Sequence, residues 1–188
     1  PDFYPAMNSI AGAVKAAAPG KLVSIAITNN LGQVAAVNAA MTHFDFWAIQ
    51  VYNGFSFNSF LADYALATPP PIDKPLIITE FGYDALDGRV APVPREWPND
   101  AELSALAIEN LWNELRTDEA GDDIAAGGCV FEYADEWWKA GTPFIHDFGP
   151  PFINGGFADG EANEEWWGAF RLVDNGSDID ILQPRALF

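Results

Sequence analysis

Along this chain the spacing of apolar residues changes repeatedly, and each change predicts an element. Met7, Ile10, Ala11 and Val14 recur at helical spacing over residues 4–18, and Pro19-Gly20 follows, so an amphipathic helix is expected there. Residues 22–28 then form an apolar run that reads as a buried strand ending at Asn29-Asn30. A weaker helical stretch over residues 33–41 leads to Phe46-Trp-Ala-Ile-Gln-Val-Tyr52, a second strand closed by Asn53-Gly54. Phe57, Phe60, Leu61 and Tyr64 share one face of a helix over residues 56–68, which Pro69-Pro70-Pro71 should stop. Pro75-Leu-Ile-Ile-Thr-Glu-Phe-Gly82 is an uninterrupted β-branched and Leu run, the signature of a strand buried on both faces.

The second half is less regular. Residues 84–98 are rich in Pro and Gly and longer than a plain strand-to-helix link, which suggests a functional loop. Asn99 and Glu102 make a capping box for a helix whose buried stripe is Ile108, Leu111, Trp112 and Leu115. Gly127-Gly128 opens a strand, Cys129-Val-Phe-Glu-Tyr133, that runs into Ala134-Asp-Glu-Trp-Trp138. Residues 139–180 show little periodicity and read as one large ordered loop with a short helical turn near Glu164.

Strand and helix therefore alternate, which implies an α/β fold with a parallel sheet and helices outside it. A closed (β/α)8 barrel needs about 250 residues, and the chain has 188. An open doubly wound sheet would normally carry a Gly-rich phosphate loop after its first strand, and none is present. Within this frame Glu80 is the conspicuous residue, a carboxylate at the end of an otherwise apolar strand. It is either a capping or ion-paired group, or a catalytic one, since barrel chemistry gathers at the carboxyl ends of strands.

Charge narrows the function classes. A net charge of -18 and a pI near 4.1 argue against nucleic acid and anionic membrane as partners. No apolar run is long enough to span a bilayer and no signal peptide opens the sequence; the first residue is Pro1, which reads as a processed chain or a fragment. Cys129 has no internal partner for a disulfide and sits in an apolar run, so a buried structural thiol is expected. Aromatic residues make up 14% of the chain, with seven Trp. Several stand beside carboxylates, as in Glu136-Trp137-Trp138 and Glu165-Trp166-Trp167-Gly168, a pairing of apolar faces and acceptors that suits a sugar ring, although core packing is the ordinary use of any one of them.

Three of these stretches resemble, in order, the last strands of retaining glycoside hydrolases with a TIM (β/α)8 barrel, notably the β-glucuronidase and β-galactosidase relatives and the β-1,3-glucanosyltransferases. Asp45-Phe-Trp-Ala-Ile-Gln-Val-Tyr52 is similar to the sixth strand, Pro75-Leu-Ile-Ile-Thr-Glu-Phe-Gly82 to the seventh, and Gly128-Cys-Val-Phe-Glu-Tyr-Ala-Asp-Glu136 to the eighth. The resemblance implies that residues 1–188 supply about strands 5–8 of such a barrel, its carboxyl-terminal half. It makes Glu80 the nucleophile and Tyr52 the phenol that donates a hydrogen bond to it. It places Phe131, Trp137 and Tyr83 as sugar-facing aromatics, with Phe131 departing from the usual Trp. Asp135 is expected to accept a sugar hydroxyl or to anchor its loop. The family's acid/base, the Glu of an Asn-Glu pair on the fourth strand, would lie upstream of Pro1, and Gln183-Pro-Arg-Ala-Leu-Phe188 is similar to the start of the last barrel helix.

These implications amount to a retaining β-glycosidase or transglycosylase, extracellular or periplasmic, whose partners are a carbohydrate and the amino-terminal half of the same barrel. No cofactor and no metal are expected. Asp159-Gly-Glu-Ala-Asn163 has alternating oxygen ligands but lacks the full calcium-loop set, and His43 and His146 have no ligand-spaced partner. The alternative is a non-catalytic carbohydrate-binding or extracellular scaffold protein derived from the same barrel.

Overall fold

The computed structural model describes residues 3–67, 72–87, 95–96, 100–117, 124–147, 152–177 and 179–185. They form two compact units. One comprises the chain through Val51 together with Asn58–Glu80 and Glu114–Cys129; the other comprises Tyr52–Phe57, Phe81–Asn113 and the chain from Val130 onward.

The first unit is built on a four-stranded sheet in the order β1-β2-β3-β6, with β1 at Ala26–Thr28, β2 at Trp47–Gln50, β3 at Leu76–Phe81 and β6 at Ala125–Val130. β1 and β2 pair in parallel, as do β2 and β3. The central strands are as apolar as their sequences predict, because Trp47, Ile49, Leu76 and Ile78 are all fully buried. Three helices belong with them: α1 at Phe3–Ala17, α2 at Leu31–Val37 and α3 at Phe60–Leu66. Asn30 caps α2 by accepting the Gln33 N–H at 3.1 Å. On α1, Ala11 is buried, whereas Ile10 and Val14 from the same expected stripe are exposed.

The structure corrects several boundaries. β1 begins at Ala26, because the backbone before it is satisfied differently: Val23 N–H donates to Asp45 Oδ2 at 2.8 Å and the Ser24 hydroxyl to the Phe46 carbonyl at 2.6 Å. β6 ends at Val130, so Phe131 follows the strand rather than lying in it. Cys129 is exposed, not buried, on a strand with a neighbour on one side only. The sheet remains open, and no closed barrel is formed among the described residues.

One buried polar residue gathers several contacts of this unit. Asn38, in the 3-10 turn Asn38–Ala40, is 2% exposed. It accepts the Trp47 indole N–H at 2.8 Å, donates to Asp73 at 2.8 Å and accepts Lys74 Nζ at 3.2 Å.

The second unit holds short antiparallel pairs where the sequence suggested one irregular loop. β4 at Leu86–Asp87 pairs with β5 at Arg95–Glu96, β7 at Phe152–Ile153 with β8 at Glu161–Ala162, and β9 at Phe170–Val173 with β10 at Ile181–Pro184. Gln183 and Pro184 therefore lie in a strand and not at the start of a helix, with Gln183 Oε1 also accepting Arg171 Nε at 2.9 Å. Pro184, which has no N–H to give, occupies the strand end. Glu164 sits in a hydrogen-bonded turn, not a helix, closed by Trp166 N–H to the Asn163 carbonyl. The helix α4 spans Asp100–Thr117; Ile108, Leu111 and Leu115 are buried, whereas Trp112 is 46% exposed. Asn99 of the expected capping box, the Pro69-Pro70-Pro71 stop and residues 88–94 of the long loop lie outside the described residues. An aromatic core fills this unit: Tyr83, Phe157 and Trp167 are buried with Ala107 and Ala162, and Tyr52, Phe55, Leu103 and Phe131 pack against them.

Replacing Asn38 by Leu strands the buried Trp47 N–H and removes one contact of Lys74, whose ammonium keeps the residue 38 carbonyl at 3.2 Å and Asp73 at 3.5 Å. It should destabilise the protein by about 1–3 kcal/mol, read as a lower urea midpoint with unchanged slope; an unmoved midpoint would contradict this account of the sheet.

Candidate active site

Glu80 closes the first unit at the carboxyl end of β3, half-buried. Its neighbour is set by an irregularity in strand pairing. Trp47, Ala48 and Ile49 face Leu76, Ile77 and Ile78 in simple register, and then the register shifts so that Gln50 faces Glu80. The extra residue on β3 is Thr79, and the bulge brings the Gln50 side chain beside the carboxylate. Gln50 Nε2 donates to Glu80 Oε1 at 2.6 Å, while Val51 N–H resumes the ladder on the Glu80 carbonyl at 2.9 Å. Gln50 was not singled out in the sequence, because a regular register would have opposed it to Thr79.

The other expected site residues belong to the second unit. Tyr52 is half-buried, its ring edge-on to Trp167 at 4.8 Å and to Phe131 at 6.1 Å, and its carbonyl accepts Asn154 Nδ2 at 2.6 Å. Phe131 is half-buried and carries Lys139 Nζ 4.2 Å above its ring, a cation–π contact that occupies one of its faces. Tyr83 is 3% exposed, stacks on Phe157 at 4.5 Å and accepts the Ala158 N–H on its hydroxyl at 2.7 Å. It is a packing residue of the aromatic core, and the expectation of a sugar-facing ring is corrected accordingly. Trp137 is stacked on His146 at 5.2 Å, and Trp166 covers the same imidazole at 3.6 Å.

Asp135 is also placed inside. It is 1% exposed; Arg185 Nη1 and Nη2 bind its two oxygens at 2.7 and 2.9 Å, and Gly168 N–H donates to it at 2.9 Å. Of the two expected uses this is loop anchoring, because the bidentate ion pair fills the carboxylate that a sugar hydroxyl would need. Arg185 also donates to the Gly168 carbonyl at 2.6 Å, so one buried pair ties the segment after β6 to the Trp167-Gly168 turn and to the end of β10. His146 is 3.6 Å from Asp135 and bonds the Glu165 carbonyl at 3.0 Å, a structural position between two indoles. In Asp159-Gly-Glu-Ala-Asn163, Asp159 accepts the Glu161 N–H at 2.9 Å and Asn163 donates to Asp84 at 2.7 Å, both as turn and core contacts.

Glu132, next to Phe131, was missed in the sequence. Burial, followed by the charge of Glu136 and a hydrogen bond to it, pushes its pKa up to about 9, against the opposing pull of Lys139. Lys139 bridges Glu136 at 3.2 Å and Glu164 at 3.4 Å. Burial alone would lower the lysine's pKa, but Glu164 and Glu136 outweigh it and the net direction is up. Glu165, 1% exposed, is pushed up to about 7 by burial, which its bond from the Asp147 N–H only partly offsets. The sequence signal for such groups is a Glu beside aromatic residues, which this chain shows too often to discriminate.

No family model matches this chain, and no curated protein matches its sequence. Solved structures do match. A β-glucuronidase from Bacteroides uniformis superposes with a TM-score of 0.53 at 15% identity, covering 88% of this chain and 17% of that one. A β-glucuronidase from Ruminococcus gnavus gives 0.52 at 15%, covering 98% and 28%. An endo-laminarinase from Formosa gives 0.50 at 13%, covering 87% and 48%. The likeness is one of fold. It agrees with an α/β chain built on a parallel sheet, and the chain spans only 17% to 48% of the lengths of these structures.

The raised carboxyls give the protein a defined pH dependence. Each holds its proton in the folded state above the ordinary 4.5, so folding is favoured most below 4.5. That contribution is lost as pH rises towards about 7 for Glu165 and about 9 for Glu132. Glu132→Gln should therefore flatten the fall of Tm between pH 5 and pH 9 and raise Tm at pH 8; curves that stay parallel to the parent's would contradict the assignment.

Proposed function

We propose that this chain is the carboxyl-terminal half of the TIM (β/α)8-barrel catalytic domain of a retaining β-glycosidase or transglycosylase, with Glu80 as the nucleophile. The observation that carries the reading is Glu80 at the carboxyl end of a buried parallel strand, aimed by Gln50 through a bulge in the register. Carbohydrate chemistry in barrels of this kind is performed from strand ends, and the fold likeness to glycoside hydrolases supports the same reading. The outer strands of the open sheet, β1 and β6, leave edges on which the remaining strands of a barrel can pair.

In this mechanism a Glu80 oxygen attacks the anomeric carbon as the glycosidic bond breaks, and a carboxylic acid from the amino-terminal half hands its proton to the leaving oxygen. The glycosyl–Glu80 ester is then cleaved by water, or by a second sugar hydroxyl in a transferase, with the same acid now acting as base. Gln50 restricts the rotation of the carboxylate, so the attacking lone pair is oriented before substrate arrives. Tyr52 is assigned to steadying the nucleophile, Phe131 to lining the sugar site and Trp137 to flanking it. The substrate is an oligo- or polysaccharide encountered outside the cytoplasm, in the extracellular space or the periplasm.

The test uses the complete protein. Glu80→Gln should lower the turnover of chromogenic β-glycosides by several orders of magnitude while circular dichroism and Tm stay near the parent's; near-normal turnover would rule the proposal out. Sugar binding with no turnover in the parent protein would instead identify a non-catalytic carbohydrate-binding relative of the same barrel.

A further inference from the structure

The aromatic core of the second unit has one residue at its centre, Trp167, which in the sequence stood out only as a member of an aromatic pair. Trp167 is 2% exposed and lies edge-on to Tyr52 at 4.8 Å and 80°, to Phe131 at 6.1 Å and 65°, and to Phe157 at 5.5 Å and 64°. It thus touches both residues of this unit that the proposed function places nearest the chemistry. Its own backbone is fixed on either side. The Trp167 carbonyl accepts the Glu132 N–H at 3.2 Å, and the next residue, Gly168, donates to Asp135 and accepts from Arg185. A Cβ at Gly168 would lie 2.3 Å from Asp135 N and 2.4 Å from the Phe170 carbonyl, so the turn has no room to move. Gly82 is close-packed in the same way, its missing Cβ 2.2 Å from the Phe131 carbonyl and 3.2 Å from Trp167 Cε3.

We propose that Trp167 is a positioning residue for the glycosidase reaction. Clamped by the buried Asp135–Arg185 pair through Gly168, its indole sets the ring of Tyr52 and the ring of Phe131 relative to each other. The proposal rests on the assignment of Tyr52 and Phe131 to the glycosidase site. Edge-to-face contacts are directional, and the angles of 80° and 65° leave each ring a definite orientation against the indole. A smaller side chain would allow both to tilt. The two rings would then lose their set orientation, and a site residue misplaced by about 1 Å can lower a rate by about a hundredfold.

The experiment compares Trp167→Phe, Tyr52→Phe, the double variant, Glu80→Gln and a packing control, Leu115→Ala, in the complete enzyme with a chromogenic β-glycoside. Trp167→Phe should lower kcat by about tenfold to a hundredfold and displace the acidic limb of the pH–rate profile in the same direction as Tyr52→Phe. Because part of the Trp167 effect passes through Tyr52 and the rest through Phe131, the losses in the double variant should be smaller than the product of the two single losses. Leu115→Ala should lower Tm without moving the acidic limb. Losses that multiply in the double variant, or a Trp167→Phe enzyme that differs from the parent in Tm only, would overturn the proposal. Turnover that survives Glu80→Gln would overturn the glycosidase reading and this inference with it. Should Trp167→Phe fail to fold, Trp167→Tyr is read by the same criteria.

Discussion

A single extra residue in one strand decides what stands beside Glu80. β2 is buried along most of its length and β3 at Leu76, Ile78 and Phe81, which fixes their register strongly, since a slip by one residue would turn those side chains to the other face. Within that constraint the β2–β3 register shifts once, at the bulge between Ile49 and Gln50, and this brings a side-chain donor to 2.6 Å from the carboxylate. The apolar core of the sheet therefore acts on the Glu80 carboxylate through alignment. Trp47, Ile49, Leu76 and Ile78 hold the strands, and the strands hold Gln50 against Glu80.

The second unit solves its problem by different means. It has few long elements, its antiparallel pairs are short, and much of its order comes from aromatic contacts and one buried ion pair. Breaking such a pair by removing one partner strands a charge in a low-dielectric interior and is strongly destabilising. Asp135 and Arg185 are both nearly inaccessible, and between them they satisfy Gly168 on its N–H and its carbonyl. Tyr83 belongs to the same scheme, buried against Phe157 with its hydroxyl anchoring the Ala158 amide. An aromatic ring beside glycines and carboxylates in a loop sequence is thus as suited to stiffening a loop as to meeting a sugar.

The sequence was informative where periodicity is long. α1, α3 and α4 followed from helical spacing, and β2 and β3 from short continuous apolar runs rich in β-branched residues. It was less informative at β6, where Gly127-Gly128 looked like a boundary but lies inside the strand, with Gly127 at a φ of 146° that few other residues adopt. The pairs β7–β8 and β9–β10 were illegible, because strands of two to four residues carry too few positions to show alternation. The Asp135–Arg185 contact joins residues separated by 50 positions, and no local rule reveals it. Glu80 was legible because a carboxylate at the end of an apolar strand needs a reason; Gln50 was not, because its place depends on the bulge.

The central claim is that Glu80 forms a covalent bond to sugar, and trapping that bond tests it most directly. The complete enzyme is incubated with a 2-deoxy-2-fluoro β-glycoside bearing a good leaving group, which slows the second step more than the first, then digested and mapped by mass spectrometry. The account requires the fluorosugar on the peptide containing Glu80, with fragmentation placing it on that carboxylate. A label on any other carboxylate, or an active enzyme that inverts the anomeric configuration and accumulates no adduct, would contradict it.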